Sequence, residues 1–225
     1  MREIILDTET TGLDPDAGHR LIEVACLELS NHLPTGRSFH RYLNPERAVD
    51  DEAVKVHGLT TDFLKDKPLF TEIVSEFLAF IDDARLVIHN AEFDLKFLNA
   101  ELGRLGFSPI ALRRAVDTVQ LARRKFPGQP ASLDALCARF GIDNAHRTLH
   151  GALLDAELLS EVYVELVGGR QASMLLASDE PGNVASVLRI DRPLRPKREF
   201  APTADELAAH ANLVASLKNP IWSAA

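Results

Sequence analysis

Short apolar runs and alternating stretches in the first part of the chain predict strands. An apolar run at residues 4–6, closed soon afterwards by a Thr-Thr-Gly sequence, is typical of a short buried strand. Residues 21–29 (LIEVACLEL) and 38–43 (SFHRYL) alternate well enough to form two further strands, with residues 31–36 as the turn between them. We expect these three strands to be antiparallel.

From residue 50 onward the apolar spacing changes to that of helices. Residues 71–81 (TEIVSEFLAFI) place their apolar side chains on one stripe, as an amphipathic helix does. Two further short strands are predicted at residues 85–89 and 115–117. Other helices are predicted at about residues 91–103, 118–125, 132–140 and 151–167. Strands first, followed by strands that alternate with helices, predict an α/β fold with a mixed sheet covered by helices.

Length and composition suit one domain of ordinary size with an appendage. The 225 residues are 46% hydrophobic, and their net charge of -8 argues against a protein that coats nucleic acid through bulk positive charge. Cys26 and Cys137 lie in apolar runs without C-x-x-C spacing, so we expect core residues rather than a disulfide scaffold or zinc site. No apolar run approaches the about 18 residues of a membrane helix, and the expected compartment is the cytoplasm.

The first candidate site is a pair of acids in the opening strand. Side chains alternate faces along a strand, so Asp7 and Glu9 point the same way. Two carboxylates that share a small surface repel each other and resist ionisation unless a positive charge lies between them. A divalent cation is therefore a candidate ligand. The alternative is a pair of solvated residues at the end of a strand.

A second polar cluster, HNAEFD, follows the predicted strand at residues 85–89. Asn90 is a plausible N-cap, which places Asp94 near the end of the first helical turn. This end of a helix favours negative charge and faces the strand tips where sites in open sheets tend to lie. Glu92 is similarly placed, and the spacing alone does not choose between the two acids. An ordinary first-turn acid is the alternative.

The third cluster, HGALLDAE, begins at His150. Five residues of a regular helix turn through roughly 500°, so His150 and Asp155 do not share a face if both lie well inside one helix. Gly151 suggests that the histidine precedes the helix, while Asp155 is fixed on its first turns. The alternative is a surface histidine before an amphipathic helix.

Taken together and in this order, D-T-E-T-T-G, H-N-A-x-F-D and H-G-A-L-L-D-A resemble the three signature segments of the DnaQ-like, or DEDDh, exonucleases. The resemblance covers about residues 1–167, includes VHGLT at residues 56–60, and implies an RNase H-like fold with a mixed five-stranded sheet flanked by helices. It selects Asp94 over Glu92. It also implies His150 as general base and four metal-binding acids: Asp7, Glu9, Asp94 and Asp155.

The implied chemistry is phosphodiester hydrolysis with two divalent ions, Mg²⁺ or Mn²⁺. Hard cations prefer oxygen ligands, and two of them about 3.5–4 Å apart stabilise the attacking and the leaving oxygen. By resemblance, Asp7 bridges both ions, Glu9 and Asp155 hold the ion that carries the nucleophilic water, and Asp94 supports the other. A neutral histidine, with an ordinary pKa near 6.5, suits removal of a proton from that water at cytoplasmic pH.

The resemblance is strongest to the proofreading subunits of bacterial DNA polymerase III, particularly along RTLHGALLDA at residues 147–156. It implies a frayed or mismatched single-stranded DNA 3′ end as substrate, released as nucleoside monophosphates. Candidate contacts to the terminal nucleotide lie within the motif segments, although core packing or capping remains an alternative for each. They are Thr8, Leu13, His57, Asn90 and Phe93.

Residues 168–225 read as a flexible linker and tail that ends in a short helix. Prolines and basic residues without a core of their own predict an extended linker, and residues 203–206 (TADE) form a capping-box pattern. An apolar helix stripe without cover indicates a partner-binding element, by resemblance for the polymerase alpha subunit. The candidate contacts are Leu207, Ala211, Val214, Leu217 and Trp222.

Just after the predicted catalytic domain, QASMLL at residues 171–176 resembles the short motif by which such subunits hold the sliding clamp. The candidate clamp contacts are Gln171, Ser173, Met174 and Leu175. The resemblance also raises a small theta-like subunit as a further partner, and a location at the replisome on the nucleoid.

Two rival functions remain. The first keeps the same site but takes RNA 3′ ends, because the motifs read phosphate and metal more than sugar. The second is a binding module with a degenerate site that bridges clamp and polymerase. The filled catalytic positions count against the second, and the tail favours the proofreading enzyme over a free-standing ribonuclease.

Overall fold

The chain divides into two compact units, Met1–Leu175 and Leu176–Ala225. A mixed five-stranded sheet forms the centre of the first unit. The computed structural model describes residues 1–145, 149–168 and 201–218. The strands are β1 (Arg2–Thr10), β2 (Leu21–Ser30), β3 (Leu33–Tyr42), β4 (Arg85–Ile88) and β5 (Ala115–Asp117). The helices are α1 (Asp51–His57), α2 (Thr61–Leu64), α3 (Phe70–Ile81), α4 (Ala91–Arg104), α5 (Thr118–Lys125), α6 (Leu133–Phe140), α7 (Ala152–Leu166) and α8 (Ala204–Ser216).

The strand order is β3-β2-β1-β4-β5, which places β1 at the centre. The first three strands pair antiparallel, as the sequence predicts, whereas β1, β4 and β5 run parallel. Parallel neighbours need crossover connections, and α3 and α4 lie between the strands that they join. The predicted α/β class and mixed five-stranded sheet are confirmed.

The turn between β2 and β3 is tighter than predicted. Instead of a loop over residues 31–36, Asn31 and His32 alone make the turn, with φ angles of 51° and 66°, and Ser30 pairs with Leu33. Two consecutive positive φ angles are the geometry of a two-residue hairpin turn whose twist matches that of the strands. The proline within β3 is tolerated because β3 is an edge strand.

Helices cover both faces of the sheet, and β1 divides its apolar side chains between them. Ile4 and Leu6 pack into a core with α3 and α4, whereas Ile5 points into a second core with α6 and α7. A strand buried on both faces reads as a continuous apolar run, which explains why residues 4–6 show no alternation. The boundaries of α3 to α7 lie within one residue of those predicted.

The start of α4 differs in detail from the prediction. Asn90 occupies the N-cap position, but its backbone is left-handed with φ 71° and its side chain makes no capping hydrogen bond. Asparagine tolerates this conformation better than most residues. Asn90 is therefore the N-cap residue, as predicted, but its side chain does not make the hydrogen bond that N-cap residues commonly make.

In the second unit, α8 begins as predicted with a capping box between Thr203 and Glu206. The helix ends at Ser216, so Leu217 follows the apolar stripe rather than continuing it. Leu207 is exposed, and so is nearly every other side chain of this helix. Within the described ranges, no helix has both the length and the apolar character needed to span a membrane.

Candidate active site

A cleft of about 300 Å³ opens where β1, the start of α4, the start of α6 and the start of α7 meet. Parallel strands present their carboxyl ends at this edge of the sheet, where sites in α/β proteins commonly lie. The cleft is lined by Asp7, Thr8, Glu9, His89, Asn90, Ser132, Leu133, Asp134, His150 and Asp155. The three polar clusters of the sequence therefore converge on one cavity.

Asp7 and Glu9 occupy alternate positions of β1 and both line the cleft. Their side chains are partly buried, and they alternate with the buried Thr8 and Thr10. In the register with β2, Glu9 stands opposite Glu23. The expected sharing of one face by the two acids is thus what the geometry shows.

Asp94 approaches the same cluster from the first turn of α4. It is buried, and the Thr8 hydroxyl donates a hydrogen bond of 2.7 Å to its Oδ1 atom. Burial raises the pKa of Asp94 to about 7; the Thr8 hydrogen bond opposes this rise, and the nearby charge of Asp117 adds to it. Asp94 does not itself line the cleft, so Thr8 connects it to the cavity wall.

Repulsion between neighbouring carboxylates is a main feature of the electrostatics of the cluster. Burial raises the pKa of Asp7 well above its ordinary value, and the carboxylates of Asp94, Glu9 and Asp155 raise it further. Such a set of oxygen donors fits a hard divalent cation, which would remove the repulsion. Three ligand atoms, from Glu9, His150 and Asp155, also lie within 4.8 Å of one another.

The segment before α7 places His150 at the mouth of the cleft. Its backbone N–H donates to the Val56 carbonyl at 3.0 Å, and its Nδ1 atom lies 3.3 Å from Asp155 Oδ2. The side chain is 47% exposed. Gly58 caps α1 in a left-handed conformation, and a Cβ atom there would lie 2.7 Å from a methyl carbon of Leu149. The close approach of α1 thus fixes the backbone that carries the histidine.

Glu23 is a site component that the sequence pattern did not reveal. This buried carboxylate on β2 accepts the N–H of Ala152, the first residue of α7, at 3.2 Å, and lies 2.7 Å from His40 Nε2. The available signal was an acid inside the apolar run LIEVACLEL, which a strand covered by helices would bury. His89, Ser132, Leu133 and Asp134 were also not predicted to line the cleft.

The predicted substrate contacts occupy different environments. Leu13 is 84% exposed at the rim of a second cavity of about 440 Å³ that also contacts Val56, whereas Asn90 lines the cleft itself. His57 is buried, its Nδ1 atom accepts the Leu59 N–H at 3.0 Å, and burial lowers its pKa. Phe93 packs on Phe97 with ring centroids 5.1 Å apart, so it belongs partly to the core.

The predicted partner contacts are only partly covered by the structure. Gln171, Ser173, Met174, Leu175 and Trp222 lie outside the described residues. Of the polymerase-contact candidates on α8, Leu207 and Ala211 are exposed, and Val214 is partly exposed. These residues therefore offer an apolar stripe on the surface of α8.

Comparison with solved structures supports the fold. The nuclease domain of 3'hExo, a DEDDh family member bound to rAMP, is 20% identical with a TM-score of 0.63, covering 74% of this chain and 91% of that one. Exonuclease X in complex with 5′ overhanging duplex DNA is 22% identical with a TM-score of 0.58, covering 73% of this chain and 90% of that one. At these sequence identities the two comparisons show a shared fold alone.

Sequence comparison reaches further. Residues 4–163 match the RNase_T family, described as "Exonuclease". A DNA polymerase III subunit epsilon from Rickettsia felis is 50% identical over 96% of this chain and 97% of its own length. The subunit epsilon of Escherichia coli K12 is 45% identical over 93% of this chain and 90% of its own length. This chain therefore belongs to the exonuclease family, and within it to the DNA polymerase III epsilon subunits.

Proposed function

We propose that this exonuclease removes nucleotides from single-stranded or mismatched DNA 3′ ends, one nucleoside monophosphate at a time, as the proofreading subunit of a replicative polymerase. The observation that carries the proposal is the carboxylate cluster around Asp7, together with His150 at the mouth of the same cleft. Its relatives' name, DNA polymerase III subunit epsilon, supports DNA as the substrate and a polymerase as partner.

Four acids would hold two divalent ions, Mg²⁺ or Mn²⁺. Asp7 is the proposed shared ligand because its pKa responds to the carboxylates of Asp94, Glu9 and Asp155 alike. When bound, such ions neutralise charge on the phosphate, lower the pKa of a water molecule and stabilise the leaving oxygen. Burial of Asp94 and its bond to Thr8 suit a residue that reaches the ions partly through water.

His150 is the proposed general base. Its exposed ring lies at the cleft mouth, where a water molecule beside Glu9 and Asp155 would be within reach. Its Nδ1 atom lies 3.3 Å from Asp155 Oδ2, which places the imidazole beside this carboxylate. In the tautomer whose Nδ1–H faces Asp155, Nε2 is the atom that would accept the proton from water.

The terminal nucleotide would enter between the cleft and the neighbouring cavity. Leu13 exposes an apolar side chain at the rim of that cavity, which suits stacking or wedging against a base. Asn90 would contact the nucleotide from the cleft, and Thr8, His57 and Phe93 would shape the site from behind it. An unpaired end reaches such a site more easily than a paired one, because no base pair has to be broken first.

The assembly partners are proposed on separate grounds. Residues 1–167 would form the catalytic domain, and residues 168–225 the linker and anchor. The apolar stripe of α8, with Leu217 and Trp222 beyond its end, would bind the polymerase alpha subunit, and QASMLL would bind the sliding clamp. A theta-like subunit is a further proposed partner, and the cytoplasmic replisome the proposed location.

The test is a single strand labelled at its 3′ end, presented as DNA and as RNA, with Mg²⁺ and with a chelator. We expect fast release of labelled mononucleotide from DNA with Mg²⁺, slower release from RNA, and none with the chelator. His150→Gln should bind the strand yet lose most turnover. Faster release from RNA would replace the proofreading function with that of a ribonuclease, and no release from either strand would favour a bridging module.

A further inference from the structure

Helix α7 carries Asp155 and follows directly from His150, so its position sets two parts of the site at once. Two buried glutamates join this helix to the sheet. Glu23 on β2 accepts the backbone N–H of Ala152 at the start of the helix, and Glu3 on β1 accepts the Tyr163 hydroxyl near its end at 2.7 Å. Both carboxylates are almost fully buried.

We propose that Glu23 is a positioning residue for the reaction, holding the first turn of α7 so that His150 and Asp155 meet in the cleft. The first N–H groups of a helix have no partner within the helix, and Gly151, at the N-cap, has no side chain to supply one. Glu23, on β2 and 129 residues away in sequence, supplies the missing acceptor for the Ala152 N–H.

The carboxylate of Glu23 is itself fixed in place. Its Oε1 atom lies 2.7 Å from His40 Nε2, which leaves Oε2 directed at the Ala152 N–H. His40 lies on β3, and its ring packs against the ring of Tyr42 with centroids 4.9 Å apart. A buried acceptor with both oxygens occupied has little freedom to rotate, so the hydrogen bond to the helix defines a position.

Glu23 also belongs electrostatically to the site. It stands opposite Glu9 in the strand register, and its charge contributes to the raised pKa of Asp7. Glu3 pairs with Leu29, at the opposite end of β1. The chain therefore offers a matched comparison: two buried glutamates on adjacent strands, each bonded to α7, of which one lies beside the site and the other far along the helix.

The experiment compares Glu23→Ala and Glu23→Gln with Glu3→Ala in the full chain, at a temperature where circular dichroism shows all three folded. For 3′-labelled single-stranded DNA, kcat, KM and the Mn²⁺ concentration for half-maximal rate are measured. Glu23→Ala should lower kcat between about 10-fold and 100-fold, the usual consequence of a slightly displaced catalytic group, and raise the Mn²⁺ requirement. KM for DNA should stay within about twofold because the substrate pocket is untouched.

Glu23→Gln should recover kcat to within about threefold of wild type, since the amide oxygen still accepts from Ala152 and the NH₂ group donates to a neutral His40 ring. Glu3→Ala should lower the melting temperature but leave kcat and the Mn²⁺ requirement unchanged. Loss of kcat in Glu3→Ala equal to that in Glu23→Ala, or failure of Glu23→Gln to recover, would overturn the positioning role.

This inference rests on the proposed roles of His150 and Asp155, so His150→Gln and Asp155→Asn are assayed in parallel. If these two variants lose turnover while Glu23→Ala keeps it, the positioning role alone is wrong. If they keep turnover, the proposed function is wrong and the inference falls with it. If all three lose turnover and Glu3→Ala does not, both are supported.

Discussion

The Thr8 hydroxyl donates a hydrogen bond of 2.7 Å to Asp94 Oδ1, although the two residues are 86 positions apart in sequence. The bond joins the central strand β1 to the first turn of α4 and supplies a donor to a carboxylate that is almost completely buried. Because a hydrogen bond to the charged form favours ionisation, it counteracts part of the effect of burial on the pKa of Asp94. The sequence predicted Thr8 as a substrate contact, but in the structure its hydroxyl is hydrogen-bonded to Asp94, a candidate metal ligand.

Replacing Thr8 by valine should therefore raise the pKa of Asp94 further and weaken metal binding. Valine has nearly the same shape but no hydroxyl, and leaving a buried carboxylate without this donor should cost about 1–3 kcal/mol of folding stability. The Mg²⁺ concentration for half-maximal hydrolysis should rise, more so at pH 6.5 than at pH 8. Thr8→Ser keeps the hydroxyl and should restore the wild-type metal requirement; equal values for all three proteins would contradict the role.

The raised pKa values predict how the metal-free protein responds to pH. Burial holds the pKa of Asp94 at about 7, against 3.8 in the unfolded chain, so the folded state retains a proton that the unfolded state has lost. Its stabilising contribution is complete below the unfolded pKa of 3.8 and disappears as the pH rises through about 7. Asp7, whose pKa is also raised, acts in the same direction.

Urea unfolding in the presence of a chelator tests this dependence. Between pH 4 and pH 8, the free energy of unfolding of the wild type should fall relative to that of Asp94→Asn, by an amount on the order of a few kcal/mol. The comparison with the isosteric variant cancels the contribution of distant titrating groups, whereas Asp7, whose pKa the Asp94 carboxylate helps to raise, titrates together with Asp94. Mg²⁺ at pH 8 should restore stability to the wild type. A constant difference between the two proteins across this range would refute the assigned protonation.

The tail should be separable from catalysis. Truncation after Gly169 leaves all five catalytic candidates in place, so degradation of free single-stranded DNA should be nearly unchanged. Affinity for the polymerase subunit should fall strongly, because the removed helix α8 carries an exposed apolar stripe. Surface plasmon resonance with the polymerase subunit checks this. Undiminished affinity would mean that the catalytic domain holds the partner.

Binding to the clamp has its own variant. Gln171→Ala combined with Met174→Ala in the full-length chain should weaken clamp binding while leaving polymerase binding intact, because α8 is untouched. Replacement of Ser178 by alanine, just beyond QASMLL, is the matched control and should change neither. Loss of both partners in the double variant would show that the two contacts are not independent.

The local pattern of apolar and polar residues was sufficient to predict those segments whose structure is determined by their neighbours in sequence. Periodicity predicted β5 and α5 exactly, and alternation placed Asp7 and Glu9 on one face. It failed at the β2–β3 turn because two adjacent residues, Asn31 and His32, both adopt positive φ angles, which composition does not specify. The position of His150 before α7 was predictable from Gly151 beside it.

The parts of the site that depend on distant contacts were not predictable in this way. The hydrogen bond from the Ala152 N–H to Glu23 joins residues that are 129 positions apart and exists only when the sheet and α7 are packed together. The same applies to the hydrogen bond that the His150 backbone N–H donates to the Val56 carbonyl. The residues proposed to carry the chemistry lie in local motifs, whereas those proposed to position them are distributed through the fold.

The most direct test of the carboxylate cluster combines metal binding with hydrolysis in Asp7→Asn. Asparagine keeps the shape of the side chain but removes the charge at the centre of the cluster. Mn²⁺ binding is followed by electron paramagnetic resonance, and release of a 3′ label from single-stranded DNA is followed in the same samples. The wild type should bind Mn²⁺ saturably and release label only with metal, whereas Asp7→Asn should lose both and melt no lower than the wild type without metal. Hydrolysis by Asp7→Asn above about a tenth of the wild-type rate, a loss of about 1.4 kcal/mol or less in transition-state stabilisation, would contradict the account.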